Sequence, residues 1–568
     1  MNTPRINRNG TGSKGKARIL IWICALLVSS IIFVPDGHSQ SFTFASEGQG
    51  FTATTGGTGG PSALFRHEDG RWVVDGVEAG TDKFSSAILT SPSLPVPDGG
   101  IVYVTIRHRF NFEADWDSGQ LVVSVNGEPD QIAGDALGQF LQEGHTKTLP
   151  TQGTNPHQGQ PVWTGQTEDI INSTLRIDEL PLDASISLKF VAHFDAATVA
   201  DPPSWEIFEV HVGEAPLTRT WIVDNDPTNH NADFNSLQAA IDAAGILDTL
   251  LVMPSGRSYG SVTVSKGLTI VGSGFGGAEL LDQGQTLTSR TGNISIVAGT
   301  NGLSLVGLEI LGTVKFLDSP RRQGLVTSNT LLYRNRIEDR PSSSVWPARS
   351  IIVGSDEHNA RGAIQNLFVI NNWIHHPVDF QASFESWRTD GAYFLNNIIR
   401  SHFLLYGSSS PSHAVVANNV FPSFWQSIWL DEGLFENNIV IRDTLDNNTD
   451  SGYINRQSAT ISNNIFVGAQ PFTSNNAPLP MQDPNLTLKA RSEVVVGEGE
   501  WWEPWVLIEG SPAANFGADG TDAGIFGGTH PWDREQKPPM PFIRSLRGPS
   551  VVTEGETLSI EIEIESNE

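Results

Sequence analysis

The sequence predicts an all-β protein in two parts, an N-terminal β-sandwich followed by a coil of parallel strands. Three observations predict it. Residues 41–215 alternate apolar and polar side chains with a period of two and lack helical spacing. Beyond residue 300 the pattern apolar-x-Asn-Asn-apolar-apolar recurs at intervals of 25, 22, 19 and 26 residues. The 568-residue chain has a single cysteine, Cys24, so neither disulfides nor zinc–thiolate sites hold it together.

Residues 1–39 read as an export signal. Arg5, Arg8, Lys14, Lys16 and Arg18 precede the apolar run 19–34, Pro35 ends it, and Gly37 and Ser39 are the small residues of a cleavage site. The run has 16 residues, short of the ~20 that a spanning helix needs, so a cleaved signal is expected rather than a retained anchor. No other segment is apolar enough to span, so no membrane span is expected in the mature chain. A formal charge of −28 excludes nucleic acid as a partner, which would need clustered Lys and Arg. An acidic, exported chain, free of cysteine once processed, fits a bacterial envelope or extracellular setting, secreted or at the cell surface.

Residues 41–215 contain the period-two runs 101–106, 121–125, 186–191 and 205–212, separated by Gly, Pro, Asp and Asn clusters. Such runs form the strands of a two-sheet sandwich. The strand 102–112, the turn Glu113-Ala114-Asp115-Trp116-Asp117-Ser118-Gly119, the strand 121–125 with Asn126-Gly127, and the closing strand 205–212 resemble the jelly-roll modules of secreted bacterial proteins.

The second part spans 219–530. Its opening strand, Thr220-Trp221-Ile222-Val223, is followed by a short amphipathic helix in which Leu237, Ile241 and Ala244 share a face, with Asp233 or Asn235 as the cap. Short strands with turns between them follow at 249–254, 261–264 and 268–274. Then the asparagine pairs appear at 371–372, 396–397, 418–419, 437–438 and 463–464, preceded by a degenerate copy around Asn335. A fixed period near 22 residues is the signature of a solenoid. Strand-sized apolar runs between the pairs argue for β-coils over helical repeats. Asparagine suits the corner because it tolerates a left-handed backbone and its amides can stack from coil to coil.

On these residues the segment resembles the right-handed parallel β-helix proteins of the pectin-lyase-like superfamily. The resemblance implies a right-handed coil whose opening helix shields the first edge. Beyond Ser511 the chain leaves the repeat, and 538–568 reads as a strand extension or a truncated domain.

The motifs of the superfamily's hydrolases and esterases are missing. The chain lacks an Asp-Asp pair and a Gly-His-Gly, and no lysine lies between Lys315 and Lys489. A lyase base would have to be His, Arg or Tyr. The richest cluster contains His375, His376, Arg388 and Asp390, and these are the catalytic candidates. Trp373, Trp387, Trp425 and Trp429 are candidates for stacking on sugar rings. Asp115 with Asp117, and Asp224 with Asp226, place carboxylates at alternate turn positions that suit Ca²⁺. No cofactor is certain, and Ca²⁺ is the one candidate. The sequence therefore predicts a secreted β-helix protein that binds extracellular polysaccharide or acts in surface attachment. The alternative is a polysaccharide-degrading enzyme, a lyase before a glycoside hydrolase. The glycan and the oligomeric state are not legible.

Overall fold

The computed structural model describes residues 39–45, 48–58, 62–77, 83–96, 100–151, 153–167, 170–181, 183–195, 200–226, 231–274, 288–317, 325–338, 349–353, 362–381, 387–406, 414–422, 428–430, 433–441, 454–456, 459–468, 484–488, 490–497, 503–532, 542–547 and 561–565. The fold divides into two compact units at Leu217 and Thr218.

The first unit is a sandwich of antiparallel sheets. One sheet has the order Gln139–Gln142, Ile171–Ile177, Val102–Phe110, Trp205–Gly213, Arg71–Val74, Arg66–Glu68. The other runs Thr52–Gly57, Ser85–Thr90, Ser185–Phe194, Ser118–Val125, Gln131–Ile132. Successive long strands cross from sheet to sheet, as alternating apolar faces require. Their inward side chains, Phe110, Phe190, Phe194, Trp163 and Trp205 among them, form one core. Burial of aromatics on this scale dominates the unit's stability.

The second unit is a parallel β-helix. Each coil runs through three sheets in turn, and every strand pairs in parallel with its equivalent in the next coil. The first sheet runs from Thr220–Val223 to Thr460–Ser462 and has ten strands among the described residues. The second runs from Arg290–Thr291 to Leu486–Leu488, and the third from Val262–Val264 to Ile454–Arg456. Connections of this kind are right-handed as a rule. The inward residues, such as Leu332, Val369, Phe394, Val416 and Phe435, stack into one continuous core.

The asparagine pair turns the chain from the first sheet to the second, and its two members do different work. The first member sits at positive φ, between 54° and 58° for Arg334, Asn371, Asn396, Asn418, Asn437 and Asn463. The second member points inward and forms a ladder. Asn335, Asn372, Asn397, Asn419, Asn438 and Asn464 each donate their backbone N–H to the side-chain oxygen of the next member at 2.8–3.0 Å. The side-chain amide donates to the same oxygen at 3.0–3.1 Å. Among the described residues the last member of the ladder is Asn485, which follows a proline instead of an asparagine.

The opening helix is Leu237–Ala243, capped by Ser236 and not by Asp233 or Asn235. It buries Leu237, Ala240 and Ile241. Gln238 gives the helix its shielding role. Its amide accepts from Thr263 N–H at 2.8 Å and donates to Thr263 C=O at 3.1 Å. One side chain thus stands in for the missing neighbour strand of Val262–Val264, the strand that begins the third sheet. Lys266 Nζ caps the other end, donating to the carbonyls of Asp242 and Ala244.

At the far end, residues 511–532 form a strap over the outer face of the second sheet. Ala513, Ala523, Ile525 and Trp532 pack on Ile398, Val420, Ile439 and Ile465. The first asparagines of the pairs hold the strap. Asn396 Nδ2 donates to the carbonyls of Ile525 and Gly527, Asn463 Nδ2 to that of Phe516, and Ala518 N–H donates to Asn437 Oδ1. Strands Phe542–Arg547 and Glu561–Glu565 pair as an antiparallel hairpin. Among the described residues no helix is long and apolar enough to cross a membrane.

Candidate functional site

Parallel register turns the second sheet's outer face into a column with one residue per coil. It reads Arg290, Glu309, Arg336, Trp373, Ile398, Val420, Ile439, Ile465. From Ile398 onward the column is apolar and lies under the strap, and Trp373 packs against the same apolar cluster. Before it the column is charged, and it changes character at Trp373.

The charged half is one connected network. Glu309 is buried and accepts from Arg290 Nε at 2.7 Å, with Arg336 at 3.5 Å on its other oxygen. Thr288 also donates to Glu309, and Arg336 binds Glu338 closely. His375 Nε2 lies 3.2 Å from Glu338 Oε1. The His375 ring is parallel to the indole of Trp373, 9° between planes with centroids 5.5 Å apart. Burial lowers the His375 pKa to about 4; Glu338 opposes the shift, while Arg336, Arg400 and His376 reinforce it. The imidazole is therefore neutral at neutral pH. In the next coil Arg400 sits one register step from His375 and its side chain is exposed. Among the described residues it makes no ion pair, whereas Arg290, Arg336 and Arg349 each have a carboxylate.

The predicted residues spread over the three sheets. His375 and His376 lie in the turn that leaves the second sheet, where His376 N–H donates to Ser350 Oγ at 3.0 Å. Arg388 and Asp390 lie on Trp387–Leu395, a strand of the first sheet, opposite Ala363 and Gln365. Trp373 is on the second sheet, Trp387 on the first and Trp429 on the third, between Leu404 and Asn455. They do not form a single aromatic stripe, because each coil turns successive strands to different faces. Trp425 lies outside the described residues. Asp379, on the third sheet, is buried and paired to Arg349 at 2.9 Å.

The sandwich holds a second cluster. Oxygens of Glu113, Asp117 and Asp195 lie within 4.8 Å of one another, an arrangement that suits a divalent cation. Asp117 is 1 % exposed, and its Oδ1 accepts from Asp195 N–H at 2.9 Å. Burial pushes its carboxyl up to about 7, and Asp195 and Glu113 add to the shift. Asp115, expected to join Asp117, sits at φ 72° and pairs with Lys147 instead. Asp195 could not be read from the turn. It follows Phe194 at the end of the strand Ser185–Phe194, whose register places His193 opposite Ser118. Asp224 and Asp226 form a local turn in which Asp226 N–H donates to Asp224 Oδ1 at 2.9 Å.

No protein-family profile matches the chain, and no curated protein does. Solved structures similar to it include the Agl-KA catalytic domain, with 11% identity, 80% of this chain and 95% of that one covered, and a TM-score of 0.17. The catalytic domain of a GH87 alpha-1,3-glucanase in complex with nigerose shows 7% identity over 80% of this chain and 99% of that one, with a TM-score of 0.14. Scores this low carry no argument about the residues of this chain.

Proposed function

We propose that this chain is an exported bacterial protein that binds extracellular polysaccharide on the outer face of its second β-helix sheet around Trp373, with the N-terminal sandwich as a jelly-roll module. The observation that supports the binding site is the parallel Trp373–His375 pair, set beside Glu338 and Arg400 at the edge of the apolar cluster under the strap. Aromatic rings beside fixed carboxylates and guanidinium groups are what a sugar requires: an apolar face to stack on, acceptors for hydroxyls, and donors for ring and hydroxyl oxygens. The basic leader and its apolar run support export. The sandwich's strand order, with successive long strands exchanging sheets, supports the jelly-roll assignment.

Binding is favoured over catalysis because of His375. A base with a pKa near 4 is too weak to abstract a sugar proton efficiently at neutral pH. The test uses the processed protein against a panel of soluble plant, algal and animal polysaccharides. Retardation in gels containing one of them, with no new unsaturated or reducing ends, is the expected result. New unsaturated ends would make it a lyase, new reducing ends a hydrolase, and either would overturn the reading.

A further inference from the structure

We propose that the sandwich pairs with a second copy of this chain through its edge strand Thr52–Gly57, antiparallel to the same strand of the other copy about a two-fold axis at Thr55.

The strand's position carries the first part of the argument. Thr52–Gly57 is the last strand of its sheet, and among the described residues it pairs on one side only, with Ser85–Thr90 in an unbroken register. Thr58 N–H donates to Phe84 C=O at 3.1 Å. Alternation along an antiparallel pair then turns the N–H and C=O of Thr52, Thr54 and Gly56 towards Ser85–Thr90. Those of Ala53, Thr55 and Gly57 point the other way, and they have no partner among the described residues. Thr52, Thr54, Thr55 and Gly57 are exposed.

Among the described residues, the other edges of the two sandwich sheets are blunted. Gln139–Gln142 carries a register shift between Phe140 and Gln142. Arg66–Glu68 is three residues long, and Arg66 pairs with Glu68 and Asp75. Gln40–Phe42 has three residues, Gln131–Ile132 has two, and Leu94–Pro95 has two and ends in proline. Bulges, charges, proline and shortness are the means by which a β-protein keeps an edge from pairing. Thr52–Gly57 has six residues and none of these devices.

The sequence says which partner fits. No charged residue lies between Glu47 and Arg66, in a chain of net charge −28. A two-fold interface sets a surface against itself, so a charge near the axis meets its own copy. This strand has none to repel, and an extended peptide bearing charges finds no counter-charge on it. With Thr55 opposite its own copy, Ala53 falls opposite Gly57 and Thr54 opposite Gly56. Every outward N–H of one copy then meets an outward C=O of the other, and the two sheets join into one.

The test uses the processed chain, which keeps no cysteine once the leader with Cys24 is removed. In this pairing the two copies of residue 55 lie about 5.5 Å apart at Cα, within disulfide reach, and the two copies of residue 52 about 20 Å apart. Thr55→Cys is expected to form a covalent dimer under mild oxidation, and Thr52→Cys to stay uncross-linked. Sedimentation velocity of the unmodified chain, run up to ~100 µM because so small an interface binds weakly, is expected to show a monomer–dimer equilibrium. Thr55→Pro removes an outward N–H that the strand's own ladder does not use, and Thr55→Lys sets a charge against its copy. Each is expected to raise the dimer dissociation constant by about tenfold or more at an unchanged melting temperature of the monomer. A chain that stays monomeric at every concentration would overturn the proposal and leave the edge to an extended segment of another protein. A dimer indifferent to Thr55→Pro and Thr55→Lys, or cross-linking of Thr52→Cys as complete as that of Thr55→Cys, would overturn it as well.

Discussion

The side-chain oxygen of Asn397 accepts two hydrogen bonds from Asn372, one from its backbone N–H at 2.8 Å and one from its side-chain amide at 3.1 Å. Both residues are fully buried. The contact recurs along the ladder, so one asparagine is both a corner residue's neighbour and the acceptor that satisfies the coil before it. Such a ladder tolerates no gap, because a missing oxygen leaves the buried N–H of Asn372 without a partner, although its amide keeps the carbonyls of Leu332 and Ile370.

Asn397→Ala is therefore expected to destabilise the β-helix by roughly 2–4 kcal/mol, the cost of one unsatisfied buried N–H added to the side-chain bonds to Val369 and Asn419 that are lost. Asn396→Gly keeps the left-handed corner, which glycine adopts freely, and loses only the bonds to the strap. It is expected to cost less than Asn397→Ala. Denaturant unfolding followed on the β-helix transition alone, since two units need not melt together, checks the order.

The strap predicts a local effect. Trp532 is buried, and its indole N–H donates to the carbonyl of Asn396. Trp532→Ala is expected to release the strap end, so that limited proteolysis cuts within 513–532 while the coils stay resistant. Mass spectrometry of the fragments reads this. Cleavage spread evenly through the coils would show that the strap is not a separate layer.

The sandwich predicts a pH dependence. The Asp117 carboxyl titrates near 7 in the fold and near 3.8 in the unfolded chain. Below pH 4 it is protonated in both states and has no effect. As pH rises from about 4 to about 7 only the unfolded state ionises, so stability falls, by up to about 4 kcal/mol for this group, and levels off above 7. Asp117→Asn is expected to remove this part of the slope. A divalent cation on Glu113, Asp117 and Asp195 would favour the ionised form. Added Ca²⁺ should then raise the sandwich melting temperature at pH 8 in wild type and not in Asp117→Asn. Calorimetry with Ca²⁺ and with chelator checks both.

Much of the fold was legible in the sequence, and the reasons are local. Period-two runs marked the sandwich strands, and the Asn-Asn spacing marked the coils. Asn485 escaped because Pro484 replaces the first asparagine, so the pair motif is absent while the ladder role persists. Gln238 escaped because edge shielding depends on where a helix packs, which spacing does not encode. The sites were less legible. The cluster from His375 to Asp390 is compact in sequence, but the coil takes its members to different sheets. Conversely, Asp195 lies far from Asp117 in sequence and beside it in the fold, because strand register joins them. The charged column of Arg290, Glu309 and Arg336 was invisible for the same reason: its members come from successive coils.

The neutral state of His375 predicts that binding at this face is flat with pH. With its pKa at about 4 it stays uncharged from pH 5 to 8. Affinity for polysaccharide should not change across that range through this residue, and titration of binding by calorimetry reads it. A midpoint near 6.5 that disappears in His375→Ala would contradict the buried, neutral imidazole.

The most direct measurement compares gel retardation of wild type and Trp373→Ala by the polysaccharide that retards wild type most. A glycan held on the second sheet at Trp373 predicts that the variant migrates as freely as in a plain gel while Trp429→Ala, on the third sheet, is retarded like wild type. Undiminished retardation of Trp373→Ala, with loss in Trp429→Ala, would place the glycan on another face and contradict the account.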